Sequence, residues 1–129
     1  MNASVVKQAI WFVVLISALL AALATGWMLH KPADYGYSFW NDQMDIRGHI
    51  DKYGPKNRYI RGFDDLSREQ HLELFGGIVD AVHNQGRGLA ELEFTDSRGR
   101  TKPLLRKPEI VHLQDVANLI DVLSVAGAV

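Results

Sequence analysis

"QAIWFVVLISALLAALATGWMLH", residues 8 to 30, holds no formally charged side chain between Lys7 and Lys31. That run is long enough to cross the hydrocarbon core of a bilayer as a helix. Trp11 and Trp27 stand toward its two ends, where an interfacial aromatic belt places them, and Lys7, His30 and Lys31 can anchor in the headgroups. A cleaved signal peptide is the rival reading, since Ala22-Leu23-Ala24 has the small-x-small form of a processing site. Apolar sequence with a tryptophan continues past that site, which favours a retained span. The positive-inside rule barely distinguishes the two sides, with Lys7 set against Lys31.

The rest of the 129 residues leaves room for one small domain. The absence of cysteine excludes a disulfide framework, a thiol nucleophile and thiolate-ligated metal. Net charge is −1, with basic and acidic residues interspersed along the chain, so nothing points to a nucleic-acid partner. Residues 31 to 65 are rich in glycine, aromatics and mixed charge without a sustained period, and read as loop with short helical pieces. Tyr35, Tyr37, Phe39 and Trp40 belong either at headgroup level or in the small core.

A capping box, Ser67 with Gln70, predicts a helix start, with Asp64 and Asp65 upstream. Leu74, Phe75, Ile78, Val79 and Val82 recur at helical spacing, and Gly86 is a plausible stop. His71 lies on that apolar face, while His83 lies about a third of a turn away. "LAELEF", residues 89 to 94, alternates as a half-buried strand does, with Ala90, Leu92 and Phe94 on one side. "DSRG" at 96 to 99 makes a turn, and "TKPLL" at 101 to 105 returns as a second strand, with Pro103 suited to an edge. A last helix opens at Pro108 and Glu109 and carries a wide apolar surface from Ile110 to Leu123.

Into that helix are set His112 and Asp115, three residues apart, so that on adjacent turns a carboxylate can reach an imidazole nitrogen and hold its tautomer. Glu109 stands three residues before His112 and can do the same from the other side. From this segment alone, a solvated face with weak polar pairing is the better account of the spacing. The combination of Glu109, His112, Leu113, Asp115 and Val116 resembles the Glu-x-x-His-[Met/Leu]-x-Asp-Val signature of the bacterial lipoprotein intramolecular transacylase family. "FDDLSREQHLELFGGIVDAV" resembles that family's earlier histidine-bearing helix, with His71 at the matching position.

The resemblance implies an α+β architecture. Residues 1–31 are the membrane-spanning helix, and residues 32–129 form a small extracytoplasmic domain of mainly helices with a short two-stranded β-ribbon. Family members carry about four spans, and "VLSVAGAV" falls where a second would begin. The implied location is the bacterial cytoplasmic membrane, and the implied partners are membrane lipids and diacylglyceryl lipoproteins. The implied activity moves the sn-2 acyl chain of such a lipoprotein to the amino group of its own terminal cysteine. On this reading His112, oriented by Asp115, is the general base, His71 polarises the carbonyl or protonates the leaving oxygen, Glu109 contacts substrate, and no cofactor or metal takes part. The apolar faces bearing His71 and His112 are expected to pack together, bringing both rings into one pocket. Two alternatives stand beside it: a metal site built from His71, His83, His112 and Asp115, and a non-catalytic single-span interaction module.

Overall fold

The computed structural model describes residues 3–128, with side chains to residue 126. Helix α1, Ala3–His30, is 28 residues long and buries none of its side chains. At 1.5 Å per residue it measures about 42 Å, against a hydrocarbon core of about 30 Å. Leu15, Leu19 and Leu23 stand exposed along it, an arrangement unfavourable in water and natural in lipid. One helix near the amino terminus is thus long and apolar enough to cross a membrane.

The chain leaves α1 through a tight 3₁₀ stretch, Lys31–Gly36, that is broken by three successive left-handed residues: Asp34 at φ 45°, Tyr35 at φ 55° and Gly36 at φ 71°. Gly36 adopts that conformation freely, whereas a tyrosine there is strained. Two short helices follow, α2 (Tyr37–Gln43) and α3 (Ile46–Tyr53), in keeping with loop sequence carrying helical pieces. The four aromatics divide: Tyr37 stacks on Phe75 at 3.8 Å between ring centres, while Phe39 and Trp40 remain exposed. Arg68 grips Asp42 with two bonds of 2.8 Å, fastening α2 to the next helix.

That helix, α4, spans Arg68–Val82 and begins as expected. The Ser67 hydroxyl accepts from the backbone N–H of Gln70 at 3.2 Å, and the Gln70 side chain accepts from that of Ser67 at 2.8 Å. Ser67→Ala is expected to destabilise the domain by about 1 kcal/mol, read as a fall in thermal midpoint; an unchanged midpoint would show the cap to be redundant. Past the helix end, Gly86 turns at φ +76°, a left-handed conformation that favours glycine, and a Cβ there would also push aside the terminal amide of Gln114.

The ribbon is shorter than the alternation predicts. Strand β1, Glu93–Thr95, pairs antiparallel with β2, Thr101–Pro103, in a register that sets Glu93 opposite Pro103 and Thr95 opposite Thr101. Residues Leu89–Glu91 form a 3₁₀ turn instead, because Gly88 at φ +94° redirects the chain. Leu89 thereby enters the core and Ala90 faces out, reversing the expected sides for that pair. The last helix, α5, runs Lys107–Ala128.

Two apolar clusters hold these elements together. Ala81, Val82, Leu89, Ala117 and Ile120 join α4 to α5. Leu66, Phe94 and Leu104 lie beneath the hairpin, and Ile78, Leu92 and Leu105 touch both clusters. The far part of α5 packs along α1. The molecule is therefore mainly helical, with a two-stranded antiparallel sheet and one long apolar amino-terminal helix.

Candidate functional site

Helix α5 is started by Glu109. Its carboxylate accepts from the backbone N–H of Arg106 at 2.7 Å and from the Arg106 Nε at 2.9 Å. This satisfies an orphan donor of the first turn and pairs two charges. The Arg106 guanidinium beside it holds the Glu109 carboxyl below the usual carboxylate range. Glu109 is therefore engaged in capping through both carboxylate oxygens, while its side chain stays partly exposed.

The inward line of α5 is Ile110, Leu113, Val116, Ala117 and Ile120. At roughly 100° per residue, His112 falls about a quarter turn to one side of that line and Asp115 nearly opposite it. Both side chains are exposed. Among the described residues no hydrogen bond or ion pair joins them. Leu119 and Leu123, seven and eleven residues beyond His112, continue its face of the helix and are exposed as well.

His71 lies in different surroundings. It is 2% exposed, packs its ring 4.5 Å from that of Phe63, and donates through Nε2 to the Phe63 carbonyl at 2.8 Å. Its Nδ1 is buried with no hydrogen-bond partner. His71 is thus buried beside Phe63 while His112 lies exposed on α5, so the two rings do not share the surroundings expected of one pocket: the apolar surface of α5 is wide, and its inner line packs against α4. Among the described residues no hydrogen bond or ring contact links the two imidazoles.

The histidine with the richest surroundings is His83, at the end of α4. Its Nε2 and the Tyr35 hydroxyl are hydrogen-bonded, and their rings stack at 5.8 Å and 18°. Trp27 of α1 closes on the pair, 4.9 Å from Tyr35 and 6.5 Å from His83. Lys31 and Asp80 stand 3.9 Å apart beside them. Burial, and then the Lys31 charge, push the imidazole below the usual histidine value, and burial raises the phenol. Both shifts favour a neutral pair at neutral pH.

Trp27 also lines a groove of about 190 Å³ between α1 and α5, with Leu20, Leu23, Ala24, Ile120, Leu123 and Ser124. The strained Tyr35 thus sits at the head of an apolar groove. Nothing in the sequence announces this pairing, because 48 residues separate the partners and only the left-handed turn after α1 aims the phenol at His83.

Among the described residues no three histidine or carboxylate side chains converge to hold a metal ion, so the metal alternative lacks a site there. Comparison with known proteins finds no matching family, no similar curated protein and no similar solved structure.

Proposed function

We propose that the protein is a membrane-anchored acyltransferase that moves the sn-2 acyl chain of a diacylglyceryl lipoprotein onto the amine of its own terminal cysteine. The observation that carries this reading is the exposure of His112 and Asp115 on a helix whose same flank, through Leu119 and Leu123, leads to the apolar groove against α1. Substrate amine and ester belong to one molecule, so proximity is largely built into the substrate. The groove receives an acyl chain, and the polar head of the substrate stands beside α5.

Chemically, the amine nitrogen forms a bond to the ester carbonyl carbon. His112 takes the proton that the nitrogen must lose, the bond from carbonyl carbon to glycerol oxygen breaks, and the proton passes to that oxygen. One imidazole completes both transfers, as it does for serine hydrolases. His71 then acts as a positioning residue that ties α4 to the carbonyl of Phe63, in place of the direct role expected for it. The chain contains no cysteine and no Gly-x-Ser-x-Gly elbow, which suits direct transfer without an acyl-enzyme.

The reading requires residues 32 onward to face the extracytoplasmic side, where mature lipoproteins are displayed. Asn84 is exposed on the domain, and Asn84→Cys is expected to react with a membrane-impermeant maleimide in intact spheroplasts. Labelling only after lysis would reject the orientation. The activity itself is tested by expressing the protein in a host without other N-acylation and weighing the amino-terminal peptide of a reporter lipoprotein. An N-acyl monoacylglyceryl form is expected, and a diacylglyceryl peptide with a free amine would contradict the proposal.

A second reading rests on the exposed stripe Val111, Leu119, Val122 and Val125 of α5, an apolar face fit to meet another helix. It makes the protein a membrane-anchored interaction module, and it predicts loss of a partner, with no change in lipoprotein acylation, when Leu119 is made polar.

A further inference from the structure

Away from the histidines, the loop before α4 and the β-hairpin enclose an open cavity of about 480 Å³. Five basic side chains line it: Arg58, Arg61, Arg98, Arg100 and Lys102. In the sequence they belong to two short segments, 58 to 61 and 98 to 102, whose charged residues are all basic but each of which is too short to stand out as a basic block. Folding gathers them.

The two carboxylates in the wall are already engaged. Asp96 is buried and holds Arg100 and Lys102, each at 2.8 Å, together with the backbone N–H groups of Arg98 and Arg100 at 3.0 Å. Lys102 first, then the other donors, keep its carboxyl well below the usual carboxylate range. Asp65 accepts from the Ser97 hydroxyl at 2.7 Å. Arg58, Arg61 and Arg98 form no ion pair among the described residues. Five cations less two anions leave an excess of three positive charges around one cavity.

Local structure holds that excess in place. Gly62, at φ +90°, lets the loop approach the hairpin so closely that a Cβ there would stand 2.8 Å from that of Asp96. The Lys102 ammonium donates to the Arg61 carbonyl, tying loop to strand. The Arg58 guanidinium lies 5.2 Å from the centre of the Tyr59 ring and donates to its hydroxyl at 3.3 Å. Like charges gathered without counterions repel, and an anion entering the cavity relieves that repulsion. Guanidinium forks match phosphate oxygens in pairs, and a single carboxylate would neutralise only a third of the excess.

We propose that this cavity is a binding site for a phosphate-bearing polyanion, either a soluble phosphate ester or the headgroup of an anionic lipid. The site stands independently of the acyl-transfer reading. The test uses the full chain in a zwitterionic detergent and inorganic pyrophosphate as probe, followed by titration calorimetry. Saturable binding at one site is expected, weakening at least tenfold in Arg58→Gln and in Arg98→Gln, and unchanged in Arg87→Gln, an exposed arginine outside the cavity.

A second arm repeats the titration in phosphatidylcholine nanodiscs with and without phosphatidic acid. Weakened pyrophosphate binding when phosphatidic acid is present, seen in the wild type and absent from the variants, assigns the site to a lipid headgroup; undiminished binding assigns it to a soluble ester. Each variant is checked by its thermal midpoint, and the two are made separately so that a folding failure in one leaves the other informative. No binding of pyrophosphate by the folded wild type, or equal binding by a folded cavity variant, would overturn the proposal.

Discussion

His112→Ala is expected to lower formation of N-acyl lyso-lipoprotein by roughly two to four decades, the contribution of a positioned acid–base group, while the protein stays at its normal level in the membrane. The ring is exposed and makes no hydrogen bond among the described residues, so its removal opens no core cavity and strands no buried partner. Thermal midpoint should therefore hold within the error of the measurement. Asp115→Asn should cost less than removal of the ring, because the imidazole remains and only its orientation suffers. Asp115 makes no hydrogen bond with His112 among the described residues, and a bond that forms around substrate suits that role, since catalytic hydrogen bonds often tighten there. Mass spectrometry of a reporter amino-terminal peptide measures both variants. Undiminished product from His112→Ala would end the mechanism.

The opposite pattern is expected at His71. His71→Ala removes a buried ring from against Phe63 and leaves the Phe63 carbonyl with only the longer bond from the Leu66 backbone N–H at 3.3 Å. Large-to-small changes at such sites cost roughly 2 to 4 kcal/mol, which in a domain of this size corresponds to a fall on the order of ten degrees or more in thermal midpoint. Activity should fall in step with folded protein and recover at low temperature. A variant that keeps its midpoint yet loses all product would return His71 to the reacting centre and contradict the positioning role.

Sequence pattern carried far in the helices and less far where the chain turns. The uncharged run ending at His30, the Ser67 capping box and the apolar line from His71 to Val82 each depend on nearest neighbours along a helix, and they appear in α1 and α4 as read. The ribbon was legible as a ribbon, but Gly88 converts its first residues to a 3₁₀ turn. A glycine's choice of left-handed backbone depends on what lies across from it, so Leu89 and Ala90 exchanged faces.

The candidate site was legible only in part. Spacing places His112 and Asp115 on adjacent turns, but which line of a wide apolar helix turns inward is decided by α4 and α1. Glu109 was visible as a first-turn acid, and its occupation by Arg106 is the local capping consequence of that position. His83 with Tyr35, and the arginines of the two loops, come together from distant segments through positive-φ turns at Tyr35 and Gly62. No one-dimensional signal marks either encounter.

The central claim, intramolecular transfer from the sn-2 position to the amine, is tested most directly with a purified diacylglyceryl lipopeptide whose sn-2 chain alone carries deuterium. It is mixed with an equal amount of an unlabelled lipopeptide of different peptide mass and incubated with the full chain in lipid nanodiscs. The account predicts that every N-acylated product of the labelled peptide carries the deuterated chain on its amine and that the unlabelled peptide acquires none. Label remaining on glycerol, or crossing to the second peptide, would contradict it.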